Sequence, residues 1–403
     1  MALWPVHTDP FEGNSCWLGN IGELIFSDIS DYYSLTLDFS AELIIDLTTQ
    51  NSVSFSETYF PDSSGMIRIS NLKDFITPLF IPFLRSIPSF STSLDLYVKV
   101  TYTYTLHREP DQDSNTGTEY GKVFFSQGTV KDYTPYHFPY LLTQVREKHS
   151  SPSRFEILAI PTRIWDGYTY TQYKHTLGIA YNLDGNPTWN SLTYFPESGT
   201  GYILKNMSAR AVLDELGLTS VDELNALYAE VTLLDSDSNP IDRCRFYYDQ
   251  CDSERDTTLL FRNYFGIPET LTCSGAATED ISLDATYAWL GDEYGKYDDD
   301  IILSNTVSTG FLTKETRALF KDLAHSPFVW LAEPLKHGSS DPDIKKIVIT
   351  DLQASRLRVS KDIQSAQLTF RYAEKSYREP LLDIAEEITR ARIFDGSFDN
   401  SFE

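Results

Sequence analysis

The sequence predicts a mainly β protein, built from several antiparallel, β-sandwich-like domains in series with a few short helices. Three observations predict this class. Aromatic residues, which suit the half-buried surface of a pleated sheet, are abundant, with 25 Tyr, 24 Phe and 6 Trp. Apolar and polar residues alternate with a period of two in several stretches. Segments that combine a helix cap with a helical apolar stripe are few.

The chain is predicted to divide into four regions. Because domains commonly hold roughly 100 to 200 residues, 403 residues predict two to four domains. The turn signals place an N-terminal β-rich region at 1–150, a β domain with a short helical insertion at 151–254, and a C-terminal β domain at 255–373. A short helix and an acidic tail follow at 374–403. No repeat of short period is visible.

The first region is predicted to consist of strands and turns. Its clearest strand, residues 98–107, alternates apolar residues such as Val98 with polar ones, which predicts one buried and one wet face. Residues 55–60 and 66–69 look like strands on either side of a turn at 61–65, where Pro, Asp, Ser and Gly cluster. The polar stretch from 107 to 117 predicts a loop.

The second region continues the strand pattern. Residues 155–160 and 168–173 are predicted strands, and the Asp-Gly-Asn-Pro sequence at 184–187 predicts a tight turn. Residues 229–234 and 241–248 predict a hairpin.

Two short helices interrupt these strands. Ser208 is placed to cap a helix over 209–216 that ends at Gly217, and Ser220 with Glu223 has capping-box spacing for a second helix that reaches about residue 228.

The third region begins with strands at 257–262 and 270–273, which flank a turn at 266–268. A helix is predicted over 314–324, and a strand with clear alternation over 366–372. In the last region Pro380 opens a predicted helix to about residue 393, and the polar residues from 395 on are predicted to be loose.

The charge of the chain argues against nucleic-acid and membrane partners. Lys and Arg number 33 against 58 Asp and Glu, which gives a formal net charge of −25. Such a chain gains little from counterion release on DNA and is repelled by anionic membrane surfaces. Two interpretations of the acidity stay open, namely simple solubility and an acidic face that meets a basic partner.

The sequence predicts a protein that is made in a cytoplasm without export. Its start has neither a basic n-region nor an apolar run. The longest apolar stretch, residues 75–84, is broken by Pro78 and Pro82 and is too short to span a bilayer.

No metal site is predicted. The four cysteines Cys16, Cys244, Cys251 and Cys273 form no C-x-x-C pair and are predicted to be buried, reduced thiols. The seven histidines show neither H-E-x-x-H nor zinc spacing with cysteine.

Two acidic runs invite comparison with cation sites. Asp235, Asp237 and Asn239 are spaced like the start of an EF-hand loop, but Pro240 and Phe246 stand where that loop needs Gly and Glu. A solvated hairpin turn is therefore predicted there. The run at 298–300, three aspartates, is predicted to be the acidic end of a loop.

No catalytic constellation is recognisable either. The chain contains no G-x-S-x-G elbow, Walker loop or dinucleotide fingerprint. We therefore predict no catalytic residues, no cofactor-binding residues, no metal ligands and no cofactor, and a protein that is not an enzyme. The aromatic residues within 165–173 could stack on sugars, but cross-strand pairs in a core are the favoured interpretation.

Residues 260–271 resemble a phrase made of a strand, the motif R-N-x-F-G, a short turn and a second strand. The motif is carried here by Arg262, Asn263 and Gly266. This phrase is found in virion and tail-associated structural proteins of phages and prophages of Bacteroides-type bacteria. Further blocks are similar to the same group, at 59–69, 121–128, 141–143, 313–323, 348–351 and 370–373.

The resemblance implies a non-enzymatic structural component of a bacteriophage virion, in the tail, that acts through protein–protein assembly. Its expected partners are other virion or tail proteins, and a ring-like homo-oligomer is expected in the particle. The expected location is the virion, after synthesis and assembly in the host cytoplasm. A receptor- or glycan-binding protein remains an alternative, as does an enzyme such as a glycan depolymerase.

Overall fold

The computed structural model describes most of the chain. The described residues are 6–11, 15–27, 29, 32–45, 48–88, 93–94, 96–108, 115–130, 145–165, 170–195, 201–249, 256–290, 293–310, 312–335, 342–354 and 365–373. Within them lie 24 β-strands and three α-helices. The strands form five sheets, so the predicted class, mainly β with few helices, is confirmed.

The N-terminal part of the chain forms two sheets and one helix. Its elements are β1 (Val6–Thr8), β2 (Ser15–Trp17), a 3₁₀ helix (Leu18–Asn20), β3 (Leu24–Ser27), β4 (Ser34–Ile45), β5 (Thr48–Tyr59), β6 (Ile67–Ile69), α1 (Leu72–Arg85), β7 (Ser93–Leu94), β8 (Leu96–His107) and β9 (Asn115–Phe124). A five-stranded sheet has the order β2-β9-β8-β4-β5, and a three-stranded sheet has the order β1-β3-β6.

Strand β8 follows the predicted alternation. Val98, Val100, Tyr102, Tyr104 and Leu106 are buried, and the residues between them are more exposed. The predicted turn at 61–65 is also present, with the Asp62 amide donating to the carbonyl of Met66. It connects β5 and β6, which lie in different sheets. The predicted loop at 107–117 was wrong in its last residues, because β9 begins at Asn115.

Helix α1 corrects the prediction of strands and turns alone in the first region. Pro78 and Pro82 lie inside it, and each removes one intrahelical hydrogen bond. The helix forms because one side carries buried apolar residues that pack on the N-terminal core. They are Leu72, Ile76, Leu79, Phe80 and Leu84. Burying five such side chains, at about 1.5–3 kcal/mol each, outweighs the cost of two prolines at about 3 kcal/mol each.

The middle part of the chain forms two further sheets. Its elements are β10 (Glu147–Ser150), β11 (Ile157–Trp165), β12 (Tyr170–Gln172), β13 (Lys174–Leu183), β14 (Asn186–Tyr194), β15 (Gly201–Asn206), α2 (Ala209–Glu215), a 3₁₀ helix (Glu223–Asn225), β16 (Ala226–Leu234) and β17 (Pro240–Tyr248). One sheet has the order β10-β17-β16-β13-β14, and the other has the order β12-β11-β15-β7.

The tight turn at 184–187 is confirmed. Asp184 (φ 51°) and Gly185 (φ 80°) join β13 to β14 as a two-residue loop. Positive φ at both positions is the geometry that matches the twist of a hairpin. The hairpin of β16 and β17 is confirmed as well.

The two predicted helices of this part differ in outcome. Helix α2 begins after Ser208 and ends before Gly217 (φ 73°), although the Ser208 side chain makes no capping hydrogen bond. The second helix was wrong beyond one turn. Asp222, not Ser220, caps it by accepting from the amide of Leu224, and the chain enters β16 at Ala226.

The C-terminal part forms one seven-stranded sheet and one helix. Its elements are β18 (Thr257–Arg262), β19 (Pro268–Cys273), β20 (Ala277–Leu290), β21 (Glu293–Ser308), α3 (Lys314–His325), β22 (Val329–Ala332), β23 (Ile344–Ala354) and β24 (Ala366–Tyr372). The order is β19-β18-β22-β23-β24-β21-β20. Helix α3 and strand β24 match their predictions. The helix predicted from Pro380 lies outside the described residues.

Three large hydrophobic cores follow the order of the chain. The first draws on residues 11–123, the second on 158–248, and the third on 259–370 together with Val145. Two smaller clusters join them, one around Trp330 and one around Ile267. Strand pairing also crosses between regions, since β7 pairs with β15 and β10 lies parallel to β17. The exact division into domains stays a prediction. Among the described residues, no helix combines the length and the apolar character that a membrane span requires.

Candidate functional site

The most distinctive surface feature is a two-stranded ribbon at the edge of the C-terminal sheet. Strand β20 is the edge strand, and β21 pairs with its inner neighbour β24 through residues 305–308. Beyond that root, residues 280–290 and 293–304 pair with each other. We call these two segments the arm. At about 3.4 Å per residue, the arm reaches about 35 Å past the end of the β21–β24 pairing.

The far end of the arm carries exposed aromatic rings. The side chains of Tyr287, Trp289 and Tyr294 are 51%, 69% and 61% exposed. Tyr294 stacks on Tyr287 with ring centroids 5.9 Å apart and lies 5.2 Å from Trp289. The three rings therefore form one patch. Contiguous apolar patches of this kind on a soluble protein mark interaction surfaces.

The arm is also strongly acidic. Its two segments, 280–290 and 293–304, contain six Asp or Glu residues and one lysine. This corrects the prediction of an acidic loop end at 298–300, because these aspartates lie within β21 and pair with 284–286 of β20.

The sequence contained a signal for the arm that our prediction missed. Ile281, Leu283, Ala285, Tyr287 and Trp289 follow one another at every second position. That is the alternation of a strand with one apolar face.

The R-N-x-F-G motif lies at a joint between the N-terminal and C-terminal parts. The Arg262 guanidinium donates to the carbonyl of Gly266 (3.2 Å) and reaches across to the carbonyls of Phe83 and Ser86 at the end of α1 (3.4 and 3.2 Å). The Asn263 side chain accepts from the amides of Phe265 and Ile267, both at 3.0 Å, and so holds the turn.

A second group of contacts closes this joint. The amide of Gln127 donates to the carbonyl of Tyr264 at 2.9 Å, and the Tyr264 hydroxyl donates to the carbonyl of Thr129 at 3.1 Å. Phe265 packs on Trp17, with ring centroids 4.9 Å apart. The motif therefore connects the N-terminal and C-terminal parts of the structure, and its polar groups are used for these contacts.

The cysteines described by the structure are poor nucleophiles. Cys244 and Cys273 are buried and Cys16 is half-buried, and all three are free thiols. Burial raises the pKa of each thiol to about 12, so the reactive thiolate is scarce at neutral pH. Cys251 lies outside the described residues.

The acidic turn at Asp235 binds its own loop. The carboxylate accepts from the Asn239 amide at 2.7 Å and from the Asn239 side chain at 3.0 Å, which confirms a hairpin turn. Among the described residues, no group of three or more His, Cys, Asp or Glu side chains could hold a metal ion.

The aromatic segment 165–173 lies partly outside the described residues, at 166–169. Tyr173 is buried in the middle core, where it packs rather than faces solvent.

No protein-family model and no curated protein matches the chain. Among the solved structures that are similar to part of it is a chain of the six-fold symmetrised cryo-EM structure of the anti-feeding prophage baseplate. The two share 16% identity, the match covers 31% of this chain and 92% of that chain, and the TM-score is 0.20. A TM-score this low supports no argument about fold or function.

Proposed function

We propose that this protein is a structural component of a bacteriophage particle, in the tail, and that it acts by assembly with other particle proteins. The arm is the observation that carries the proposal. An isolated two-stranded ribbon is only marginally stable in water. The part of the arm that pairs with no third strand would therefore be stabilised by contact with a second protein. Tyr and Trp, the rings at its end, are enriched in the cores of protein interfaces.

The chemistry of the arm favours one kind of partner. Six carboxylates against one lysine in the arm favour a basic surface, and the rings of Tyr287, Trp289 and Tyr294 favour an apolar pocket within it. Other copies of this chain carry a net charge of −25 and repel one another at low salt. A neighbouring virion or tail protein therefore fits the arm better, and a ring of copies would form around that neighbour.

The remaining parts of the proposal rest on the sequence resemblance. The blocks similar to virion proteins are spread over most of the chain and imply no catalytic residues. We therefore propose a protein that is not an enzyme, needs no cofactor, binds neither nucleic acid nor membrane, and resides in the virion after assembly in the host cytoplasm. The protonated thiols and the acidic balance of the chain support this.

The test is a phage that carries a triple serine variant of the arm, with Tyr287→Ser, Trp289→Ser and Tyr294→Ser. We expect loss of intact particles in electron micrographs, while the purified variant melts within a few degrees of the wild type. Phe60→Ser is the control, because Phe60 is 67% exposed and lies between β5 and β6, far from the arm in the chain.

The possible outcomes separate the candidate functions. Intact particles that fail to attach to cells would favour the receptor-binding alternative over assembly. Normal infectivity of the triple variant would reject a role for the arm, and normal infectivity of a complete gene deletion would reject both functions.

A further inference from the structure

A row of matched positions, four of them aromatic, crosses all five strands of the β10-β17-β16-β13-β14 sheet. The positions are His149, Tyr247, Tyr228, Ala180 and Trp189, on successive strands. The ring centroids are 4.9 Å apart from His149 to Tyr247, 5.8 Å from Tyr247 to Tyr228, and 5.8 Å from Tyr228 to Trp189. We call His149, Tyr247, Tyr228 and Trp189 the aromatic row.

The aromatic row lies on the face of the sheet away from the core. Neighbouring residues on the same strands, Ile179, Ala229 and Phe246, point the other way and are fully buried. Side chains alternate between the faces of a strand, so the row belongs to the outer face. Four steps of about 4.8 Å between strands give it a length of about 19 Å.

The Trp189 indole occupies space that a glycine leaves open. A Cβ atom on Gly178 would be 2.2 Å from Cζ2 of Trp189, closer than any real contact. The indole therefore rests over the position where any other residue would have a side chain. The indole packs against Gly178, and Trp189 is still 47% exposed. The chain thus presents a large aromatic ring to solvent at one end of the row.

Polar groups stand between the rings in fixed positions. The Arg245 guanidinium lies 4.6 Å from the Tyr228 ring centroid and 5.6 Å from that of Tyr247. It donates to Glu230 at 2.9 and 2.5 Å and to the Tyr247 hydroxyl at 2.9 Å. The side chain cannot swing away without losing these bonds.

The basic groups around the row lie near carboxylates. Arg245 pairs with Glu230 at 2.5 Å, Arg243 approaches the same carboxylate at 3.9 Å, and the Nδ1 atom of His149 lies 3.1 Å from a carboxylate oxygen of Asp249. A surface of aromatic rings whose basic groups are held by carboxylates suits an uncharged ligand that has both apolar faces and hydroxyl groups. Nucleic acid needs cations that are free to pair with phosphates, whereas Glu230 lies within 4 Å of both arginines here.

We propose that the aromatic row is a binding site for a neutral, linear oligosaccharide of pyranose units. The apolar C–H face of one sugar stacks on the Trp189 indole, and further sugars extend across Tyr228 and Tyr247 towards His149. Hydroxyl groups of the sugars bond to Arg245, which is already held in place. Sites of this composition, with aromatic walls and a few placed polar groups, are typical of small-ligand recognition. The site is independent of the arm.

Isothermal titration calorimetry with the purified full chain tests this site. The probes are neutral hexasaccharides of glucose, N-acetylglucosamine, xylose, mannose and galactose, with polygalacturonate as a charged comparison. We expect at least one neutral hexasaccharide to bind. Trp189→Ala should weaken that binding at least tenfold, and Gly178→Ala should do so as well, because the added methyl group displaces the indole. Tyr120→Ala is the matched control and should bind normally, because Tyr120 is an exposed aromatic residue on β9 of a different sheet.

Each contrary result overturns the proposal. Absence of binding to every neutral probe would reject a glycan site, and preference for polygalacturonate would reject the argument from paired charges. Equal glycan affinity of the wild type and Trp189→Ala would show that the glycan binds outside the aromatic row. Loss of particle assembly in a phage with Trp189→Ala, without any glycan binding, would identify the row as a protein interface. Failure of the assembly function itself would instead be seen in the arm variant.

Discussion

The guanidinium of Arg262 lies 4.8 Å from the centroid of the Phe83 ring, although the two residues are 179 positions apart in the chain. Arg262 is 1% exposed, and burial lowers the pKa of its guanidinium to about 10. The contact ties the end of α1 to the turn between β18 and β19. Burying a cation costs free energy because the charge loses its hydration. The buried guanidinium is tolerated here because backbone carbonyls accept hydrogen bonds from it.

Replacing Arg262 by methionine is expected to destabilise the protein by about 2–3 kcal/mol. The carbonyls of Gly266 and Ser86 would lose a donor, at about 1–3 kcal/mol each, while relief from burying the charge offsets part of this loss. A urea titration measures the change. Arg68→Met is the control, since Arg68 is exposed and its pair with Glu23 is long, at 3.5 Å. Equal stability of both variants would contradict a connecting role for Arg262.

Gly266→Val should destabilise the protein more than Gly217→Val does. Both glycines have positive φ, 75° and 73°, so a β-branched residue is strained at either position by about 1–3 kcal/mol. A Cβ on Gly266 would also be 2.7 Å from Cδ1 of Phe125, whereas nothing lies within 4 Å at Gly217. We expect a further loss of about 1–3 kcal/mol at position 266. If denaturant titrations give the same loss of unfolding free energy for both variants, the surroundings of Gly266 can shift to accommodate the added side chain.

His175 should make the protein less stable in acid. Burial, reinforced by Lys205, lowers the pKa of its imidazole to about 4 from an ordinary value of 6.5, against an opposing effect of Glu215. Between pH 6.5 and 4 the unfolded chain therefore binds a proton that the folded protein does not, so the free energy of unfolding falls as the pH falls through this window.

The comparison of wild type with His175→Phe isolates this effect. Phenylalanine keeps an aromatic ring on Tyr194, which stacks on His175 at 5.0 Å, and it cannot titrate. Between about pH 7 and pH 4.5 the wild type should lose about 2 kcal/mol more than the variant in urea titrations. The many carboxylates affect both proteins alike. Parallel pH profiles would show that His175 titrates normally.

Removal of divalent metals should leave the stability unchanged. The calcium-like turn at Asp235 is occupied by its own backbone and by Asn239. We expect the melting temperature in EDTA to match that in buffer. A decrease of more than about 5 °C, equivalent to roughly 1 kcal/mol in a domain of ordinary size, would indicate a structural metal.

The sequence predicted elements well where local chemistry decides the structure. Alternation identified β8 and β24, and the Asp-Gly turn at 184–187 identified a hairpin. Helix α1 was not predicted because its two prolines oppose a helix locally, and only packing on the N-terminal core reverses that preference. The prediction of a second helix near Ser220 was wrong for the opposite reason. Its capping pattern was present, but the residues from Ala226 on belong to β16 and pair with the neighbouring strands.

The two candidate functional surfaces, the arm and the aromatic row, were harder to predict than elements. The alternation in β20 could have revealed a strand, but not that it would stand at a sheet edge with its rings exposed. The aromatic row joins residues as far apart in the chain as His149 and Tyr247, which only the order of the strands brings together. Gly178 has no visible role in the sequence, and its role emerges only when Trp189 is seen lying over it.

The separation of Arg262 from Phe83 also sets the order of events during synthesis. The end of α1 emerges from the ribosome long before the turn that covers it, so Leu84, Phe125 and Trp17 lie beside an empty position until then. Contacts that are so distant in the chain form slowly, and apolar surfaces exposed in the interval are prone to aggregation. Nascent chains from which Gly266 has not yet emerged should therefore depend on chaperones, and release from them should follow its emergence.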